Sequence, residues 1–134
     1  MRFLATHQDA STTRKRIEQG ETIVAVCAET VVGIVTVISP GQTDGSPFYN
    51  RRDVAKFCQF CVSPDFQRAG IGSRLLFIVE CLAKAKAASH IALDTSEHAL
   101  HLIDWYGARG YCFVEYCRWH DVNYRSKILA KRLS

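Results

Sequence analysis

The stretch VSPDFQRAGIGSRLL, residues 62–76, decides the fold of this chain. It follows residues 54–62 (VAKFCQFCV), an apolar run typical of a buried strand, and leads into residues 71–88, where apolar residues recur with helical spacing. Between strand and helix lie Gly70 and Gly72. Glycine allows a tight turn and a close approach to a ligand, and the first amides of the helix have no partner within it. The stretch therefore predicts a site for an anion such as a phosphate.

Two better-known phosphate-binding motifs do not match this stretch. A dinucleotide-binding turn needs a third glycine, as G-x-G-x-x-G, and a Walker loop needs Gly-Lys-Ser or Gly-Lys-Thr. Taken alone, the two glycines leave a second interpretation open, in which the helix begins at a glycine turn and binds no ligand.

Strand and helix patterns alternate along the rest of the chain. Residues 39–53 collect prolines, glycines and polar residues typical of a long loop, and such loops are usually functional or mobile. We expect helices at 11–19, 71–88 and 96–109, and strands at 22–28, 31–38, 54–62, 90–93, 111–119 and 124–133. This order predicts one domain over residues 1–134, with a mixed sheet that has a parallel strand pair around the long helix.

A second motif, Trp105-Tyr-Gly-Ala-Arg-Gly-Tyr111, ends the last predicted helix. Together with Gln67-Arg-Ala-Gly-Ile-Gly72 after a strand, it resembles the helix-end and acyl-CoA-binding motifs of the GNAT superfamily of N-acetyltransferases. The resemblance covers about residues 24–133. It implies an α+β fold with a mixed, mostly antiparallel central sheet flanked by helices, whose first strand is short or missing. The CoA arm would enter a gap that splays the parallel strand pair.

The resemblance also implies which residues bind acetyl-CoA, the expected co-substrate, for transfer of its acetyl group to a primary amine of a small molecule or peptide. Main-chain groups of Cys61 and Val62 would pair with the pantetheine arm. The pyrophosphate would be held by main-chain amides and one hydroxyl, supplied by Gln67, Arg68, Ala69, Gly70, Ile71, Gly72 and Ser73. A bulky side chain at either glycine would then occupy the phosphate position. Arg68 or Arg74 would add a charged contact, although each could equally be a solvated surface residue.

Tyr106 occupies the position at which the family commonly donates a proton to the departing thiolate. A phenol, with an ordinary pKa of about 10, is protonated at neutral pH, and the alternative is a tyrosine of the core. The family's frequent base, a glutamate on the strand before the glycine turn, has no counterpart in residues 54–62. Asp94 or His101 is the expected base, acting through water, although each could instead be a helix cap or a surface residue.

Charge and cysteine content argue against several other classes of protein. The 17 Lys and Arg against 13 Asp and Glu give a net charge of +4, which suits an anionic ligand better than nucleic acid, for which a domain's pI usually exceeds about 9. No run approaches the roughly 18 apolar residues of a membrane span. Residues 1–10 lack the apolar run of a secretory signal, so we expect a cytoplasmic protein with reduced cysteines. Cys58 and Cys61 should point to opposite faces of a strand and bind no metal.

Two expectations concern the protein as a whole. The missing glutamate leaves a catalytically silent acyl-CoA sensor or accessory subunit as the alternative to an enzyme. The 21 residues before Thr22 are too few for the family's first strand and two helices, so strand 22–28 should be a sheet edge that needs a cover. Residues 1–5 or a second copy of the chain would supply it. We favour a homodimer, with residues 124–133 as the other contact.

Overall fold

The computed structural model of the chain describes residues 20–43, 45–120 and 122–134. The strands in these residues are β1 (Glu21–Cys27), β2 (Thr30–Ile38), β3 (Val54–Val62), β4 (His90–Ser96), β5 (Cys112–Cys117) and β6 (Ser126–Arg132), and the α-helices are α1 (Ile71–Ala85) and α2 (Leu100–Gly107). Neither of these two helices is long and apolar enough to cross a membrane. The predicted helix at 11–19 and the expected short or missing first strand lie outside the described residues.

The strand β3 has the predicted bounds, whereas other elements end where the backbone geometry changes. α1 ends at Ala85, earlier than predicted, because Ala87 has a positive φ of 63° and the Ala88 amide donates back into the last turn. β4 runs further than predicted, to Ser96, because it pairs with β6 along its whole length. Ser96, the predicted first residue of the helix, is the last residue of β4, and α2 begins only at Leu100.

The six described strands form one sheet in the order β1-β2-β3-β4-β6-β5. All neighbours are antiparallel except β3 and β4, which run parallel. The parallel pairing begins at Val54 and His90 and ends at Lys56 and Ala92. Beyond this point both strands continue without pairing to each other, which confirms the predicted splayed sheet. We call the space between their unpaired parts the gap.

The last strand, β6, lies inside the sheet, between β4 and β5. Ile128 and Leu129 are both buried, each in the core on a different face. The prediction that this strand offers a contact to a second copy is therefore wrong, because neither side chain lacks a partner. β1 and β5 are the outer strands of the described sheet.

A β-bulge at Gln59, which has a positive φ of 56°, interrupts β3. On β2, Thr36 pairs with Cys58. Two residues earlier, Ile34 pairs with Cys61. Residues two apart on a strand share a face, so Cys58 and Cys61 share one too, and the prediction of opposite faces is wrong because it assumed a regular strand. Neither cysteine forms a disulfide, and the described residues contain no group of three or more side chains that could hold a metal.

Apolar side chains cover both faces of the sheet. On one face, which we call the helix face, Leu75 and Val79 of α1 and Leu102 of α2 are buried against the strands. Truncating such a leucine to alanine typically costs about 2–5 kcal/mol. On the other face, which we call the loop face, Phe48 and Tyr49 from the β2–β3 connection are buried in a second core.

The long connection between β2 and β3 is anchored to the sheet. The Thr43 hydroxyl donates to the Tyr49 carbonyl, and the Tyr49 amide donates to the Ser46 hydroxyl at 3.1 Å. Gly45 has a φ of 104° and lies under the ring of Trp119, where an added Cβ would be only 2.4 Å from a ring atom. This connection therefore carries part of the loop-face core and holds it against the strands that border the gap.

Candidate active site

The glycine turn brings the start of α1 to an open surface. Gly70 has a φ of 80°, and the first helical hydrogen bond runs from the Arg74 amide to the Gly70 carbonyl at 3.1 Å. The amides of residues 70–73 precede this bond and donate to no main-chain carbonyl among the described residues. A Cβ added at Gly70 would meet no atom within 4 Å. Unpaired amides, the positive end of a helix dipole and room for a ligand are what a phosphate requires.

The second glycine, Gly72, does not have the predicted role. It is buried, and an added Cβ would face the rings of Phe60 and Trp105 at 3.8 Å. A side chain at this position would enter the protein interior rather than the phosphate position. The predicted effect of a side chain at Gly72 is therefore wrong, because this position faces inward, and the effect at Gly70 stays a prediction.

Hydrogen bonds shape the chain before the turn. The amides of Gln67 and Ala69 donate to carbonyls of the 3-10 turn Pro64–Phe66, at 3.5 and 3.2 Å, so these amides are already engaged. The Gln67 side chain donates to the Val62 carbonyl at 3.2 Å. Gln67 thereby ties the turn to the end of β3.

Three arginines lie at or near the start of α1, namely Arg68, Arg74 and Arg109. The sequence did not predict that Arg109 lies there. Arg68 and Arg74 are exposed and form no ion pair with the described residues. The guanidinium of Arg109 stacks on the Trp105 ring and lies 3.4 Å from the Ser73 hydroxyl. Arg109 follows Trp105 by four residues, the spacing at which helical side chains meet, but no sequence signal links either residue to Ser73.

Main-chain groups of β3 border the gap. The Ser63 amide donates to the Val32 carbonyl of β2 at 2.8 Å, so the main-chain groups of Ser63 point toward β2. Successive residues of a strand direct these groups to alternate sides. Both Val62 and Cys61 lie opposite residues of β2, Gly33 and Ile34. By the alternation from Ser63, the main-chain groups of Val62 should face the gap and those of Cys61 should face β2. Of the two residues predicted to contact a pantetheine arm, Val62 is therefore favoured over Cys61.

Tyr106 lies on the helix face, inside a cluster of aromatic rings. Only 2% of the residue is exposed, and the four surrounding rings have centroids between 5.1 and 6.4 Å away, those of Phe57, Phe60, Trp105 and Tyr111. Burial raises the pKa of Tyr106 well above its ordinary value, so the hydroxyl keeps its proton at neutral pH. That hydroxyl forms no hydrogen bond with the described residues, whereas the Tyr111 hydroxyl donates to Glu80 at 2.9 Å. Tyr106 is thus a core residue whose hydroxyl has no hydrogen-bond partner among the described residues.

Asp94 lies just beyond the last parallel pair, at the centre of a group of polar contacts. The Tyr49 hydroxyl donates to one carboxylate oxygen at 2.8 Å, and the Trp119 indole N–H donates to the other at 2.9 Å. The Lys56 ammonium lies 3.4 Å from the carboxylate. We call these four residues the Asp94 cluster. Both oxygens of Asp94 have partners, which favours a role in positioning the strands.

The Asp94 cluster is largely withdrawn from water. The Lys56 ammonium lies 4.7 Å from the centroid of the Tyr49 ring and 5.1 Å from that of Trp119, and the two rings stack. Removing one partner of such a pair leaves a charge uncompensated. Burial first, and then the Asp94 charge, raises the pKa of Tyr49 well above its ordinary value, so this donor stays protonated. Burial likewise raises the pKa of the adjacent Cys117 thiol to about 12.

The other candidate base, His101, is exposed in the first turn of α2. Asp94 lies on β4 and His101 on α2, and no hydrogen bond joins these two described residues. Sequence reasoning did not find Lys56, Tyr49 or Trp119 as partners of Asp94. A signal existed for Lys56, since a charge in an otherwise apolar strand needs a partner. The other two come from distant connections and carry no such signal.

The sequence matches the model of the Acetyltransferase (GNAT) family over residues 2–111. No curated protein matches the chain. Solved structures with the same fold cover nearly all of it. Ard1 from Thermoplasma volcanium has a TM-score of 0.78 at 16% identity, over 95% of this chain and 81% of its own.

Two further structures have similar scores. A GNAT family acetyltransferase from Elizabethkingia anophelis, solved with acetyl-CoA bound, has a TM-score of 0.74 at 17% identity, over 93% of this chain and 84% of its own. The ribosomal-protein-S18-alanine N-acetyltransferase from Escherichia coli has a TM-score of 0.72 at 17% identity, over 95% and 78%. At such identities the likeness establishes the fold.

Replacing Tyr49 with Phe should lower the free energy of unfolding by about 1.5–3 kcal/mol, because it removes a hydrogen bond to a largely buried carboxylate. Equilibrium denaturation in urea measures the change. Tyr116→Phe is the matched control, since its ring is exposed and its hydroxyl bonds to none of the described residues, and it should change stability by less than about 0.5 kcal/mol. Equal stability of Tyr49→Phe and wild type would mean that the bond to Asp94 adds nothing to the fold.

The two glycines should respond differently to substitution. Gly70→Val should abolish binding of acetyl-CoA, because a β-branched residue opposes a φ of 80° and its side chain would fill the open space at the turn. Gly72→Ala should retain binding, because its methyl group makes ordinary contacts with two rings. Isothermal titration calorimetry on variants shown to be folded by circular dichroism measures both. Wild-type affinity in Gly70→Val would reject the anion site at this turn.

Proposed function

Since the chain belongs to the GNAT acetyltransferase family and is therefore an acyltransferase that uses acetyl-CoA, we propose that it transfers the acetyl group to a primary amine of a small molecule or peptide. One observation carries this proposal: the strand that borders the gap leads directly into the glycine turn of α1. A ligand with phosphates at one end and a thioester at the other suits a site built of an anion-binding turn and an adjoining strand edge.

The described residues fit acetyl-CoA. The unpaired amides of residues 70–73 and the Ser73 hydroxyl would hold the pyrophosphate, and Arg68 or Arg74 would add charge. The Val62 amide would pair with the pantetheine arm as a neighbouring strand would, while the Val62 carbonyl already accepts a hydrogen bond from the Gln67 side chain. Gln67 would act indirectly, by holding the turn against β3.

Transfer requires an uncharged amine, a polarised carbonyl and a proton for the leaving sulfur. The amine nitrogen bonds to the carbonyl carbon, the carbon–sulfur bond breaks, and its electron pair stays on sulfur. Tyr106 would give its proton to that thiolate and recover one from solvent. Burial raises the pKa of the Tyr106 phenol and so weakens it as an acid, and the same desolvation would raise the proton affinity of a thiolate held beside it.

The nitrogen must also lose a proton, and Asp94 and His101 are the proposed acceptors, each through water. Each Asp94 oxygen already accepts a hydrogen bond, and His101 is exposed to solvent, so a water would link either residue to the amine. Asp94 also supports the β4 border of the gap. Because the base is indirect, the amine should react as the small uncharged fraction present in solution.

The alternative function is a silent acyl-CoA sensor or accessory subunit. The observation in its favour is that β3 carries no carboxylate, while Asp94 is committed to three partners. Release of free thiol from acetyl-CoA in the presence of a broad panel of amines separates the two functions. An enzyme releases CoA only when the correct amine is present, whereas a sensor binds acetyl-CoA with no amine-dependent turnover.

Replacing Tyr106 with Phe should keep the affinity for acetyl-CoA and lower turnover roughly ten- to a thousandfold, near the range for the loss of a general acid. Thiol release measures turnover, and calorimetry measures affinity. Tyr111→Phe loses a hydroxyl from the same aromatic cluster and should turn over at close to the wild-type rate. If Tyr106→Phe kept wild-type turnover with saturating amine, the hydroxyl would have no part in the rate-limiting step.

We also propose that the protein is a homodimer. The outer strand β1 exposes Val24 and Val26, and the outer strand β5 exposes Phe113 and Tyr116, so each carries apolar surface suited to a second copy. Light scattering at micromolar concentration should give a mass near twice the 15.1 kDa of one chain. A mass near one chain that does not change on dilution would contradict the dimer.

A further inference from the structure

The side chain of Arg109 is fixed by three contacts. Its guanidinium carbon lies 3.7 Å from the centroid of the Trp105 ring. One terminal nitrogen donates to the Trp105 carbonyl at 2.8 Å, and the other lies 3.4 Å from the Ser73 hydroxyl. A planar guanidinium held against a ring is already oriented, so it loses less entropy when it binds a further group.

The charge of Arg109 has no carboxylate partner among the described residues. Arg125 provides a comparison within the same protein. It stacks on the Tyr116 ring with its guanidinium carbon 3.5 Å from the centroid, but its Nε lies 2.6 Å from a carboxylate oxygen of Glu97. Arg109 and Arg125 thus both stack on an aromatic ring, but within the described residues only the charge of Arg125 is neutralised by a carboxylate. Among the described residues, then, no carboxylate competes with an anion for the charge of Arg109.

We propose that Arg109 binds the pyrophosphate of acetyl-CoA directly, an inference that rests on the proposed function. Its contact Ser73 lies in the first turn of α1, beside the unpaired amides of residues 70–73. A guanidinium has five N–H donors, and two of them are engaged here, so donors remain for phosphate oxygens. The contact with Ser73 favours the pyrophosphate over the 3′-phosphate, because Ser73 belongs to the turn itself.

Calorimetry with three variants tests the assignment. Arg109→Gln should raise the dissociation constant for acetyl-CoA about ten- to a hundredfold, the size expected for losing a charge-assisted hydrogen bond. Arg109→Lys should lose less, because it keeps the charge without the planar fork. Arg118→Gln removes an exposed arginine that forms no ion pair with the described residues, and it should bind within about twofold of wild type. Circular dichroism checks that each variant is folded, and Arg109→Lys carries the test if the glutamine variant is not.

Two truncated ligands show which phosphate is bound. With 3′-dephospho-acetyl-CoA, which keeps the pyrophosphate, the loss caused by Arg109→Gln should persist. With acetyl-pantetheine, which has no nucleotide phosphate, wild type and variant should bind alike. Wild-type affinity in Arg109→Gln, or a loss that disappears with the dephospho ligand, would overturn the assignment. Failure of the wild type itself to bind acetyl-CoA would instead reject the proposed function.

Discussion

The parallel pairing of β3 and β4 stops at Lys56 and Ala92, and the candidate site depends on this early stop. Main-chain groups that leave a sheet ladder need other partners, since a buried and unsatisfied group costs about 1–3 kcal/mol. A gap of this kind persists only if the surrounding structure prevents the strands from closing. It then offers an extended ligand the same hydrogen bonds that a neighbouring strand would accept.

Different interactions hold the two faces beside the gap. On the loop face, the Asp94 cluster joins Lys56 of β3 to Asp94 of β4 through partners that come from the connections before β3 and after β5. On the helix face, aromatic rings around Tyr106 fill the space beside α1 and α2. The Asp94 cluster depends on hydrogen bonds and an ion pair between particular side chains, so it fixes the position of the strands. The aromatic cluster depends on rings that fill the available volume, so it determines how tightly the strands are packed.

The phosphate end and the reacting end of the proposed site share one residue, Trp105. Its ring carries the Arg109 guanidinium, contacts the position of Gly72 and lies edge-on to Tyr106, with centroids 5.1 Å apart. Trp105 therefore lies between the anion-binding turn and the proposed proton donor and packs against both. This arrangement explains why Gly72 must be small even though it does not face the ligand.

The sequence by itself determined the order of the described elements, the bounds of β3 and the glycine turn, because periodicity and glycine conformation are local properties. It also indicated Asp94 as a candidate base, but not the three partners that surround its carboxylate. Only the tertiary structure decided that a bulge at Gln59 turns two cysteines to one face, that Asp94 meets Tyr49 and Trp119, and that Arg109 reaches Ser73. Each of these depends on strand register or on contacts between segments 25 or more residues apart along the chain. Residue pattern does not encode such contacts, because they form only when the sheet has brought its connections together.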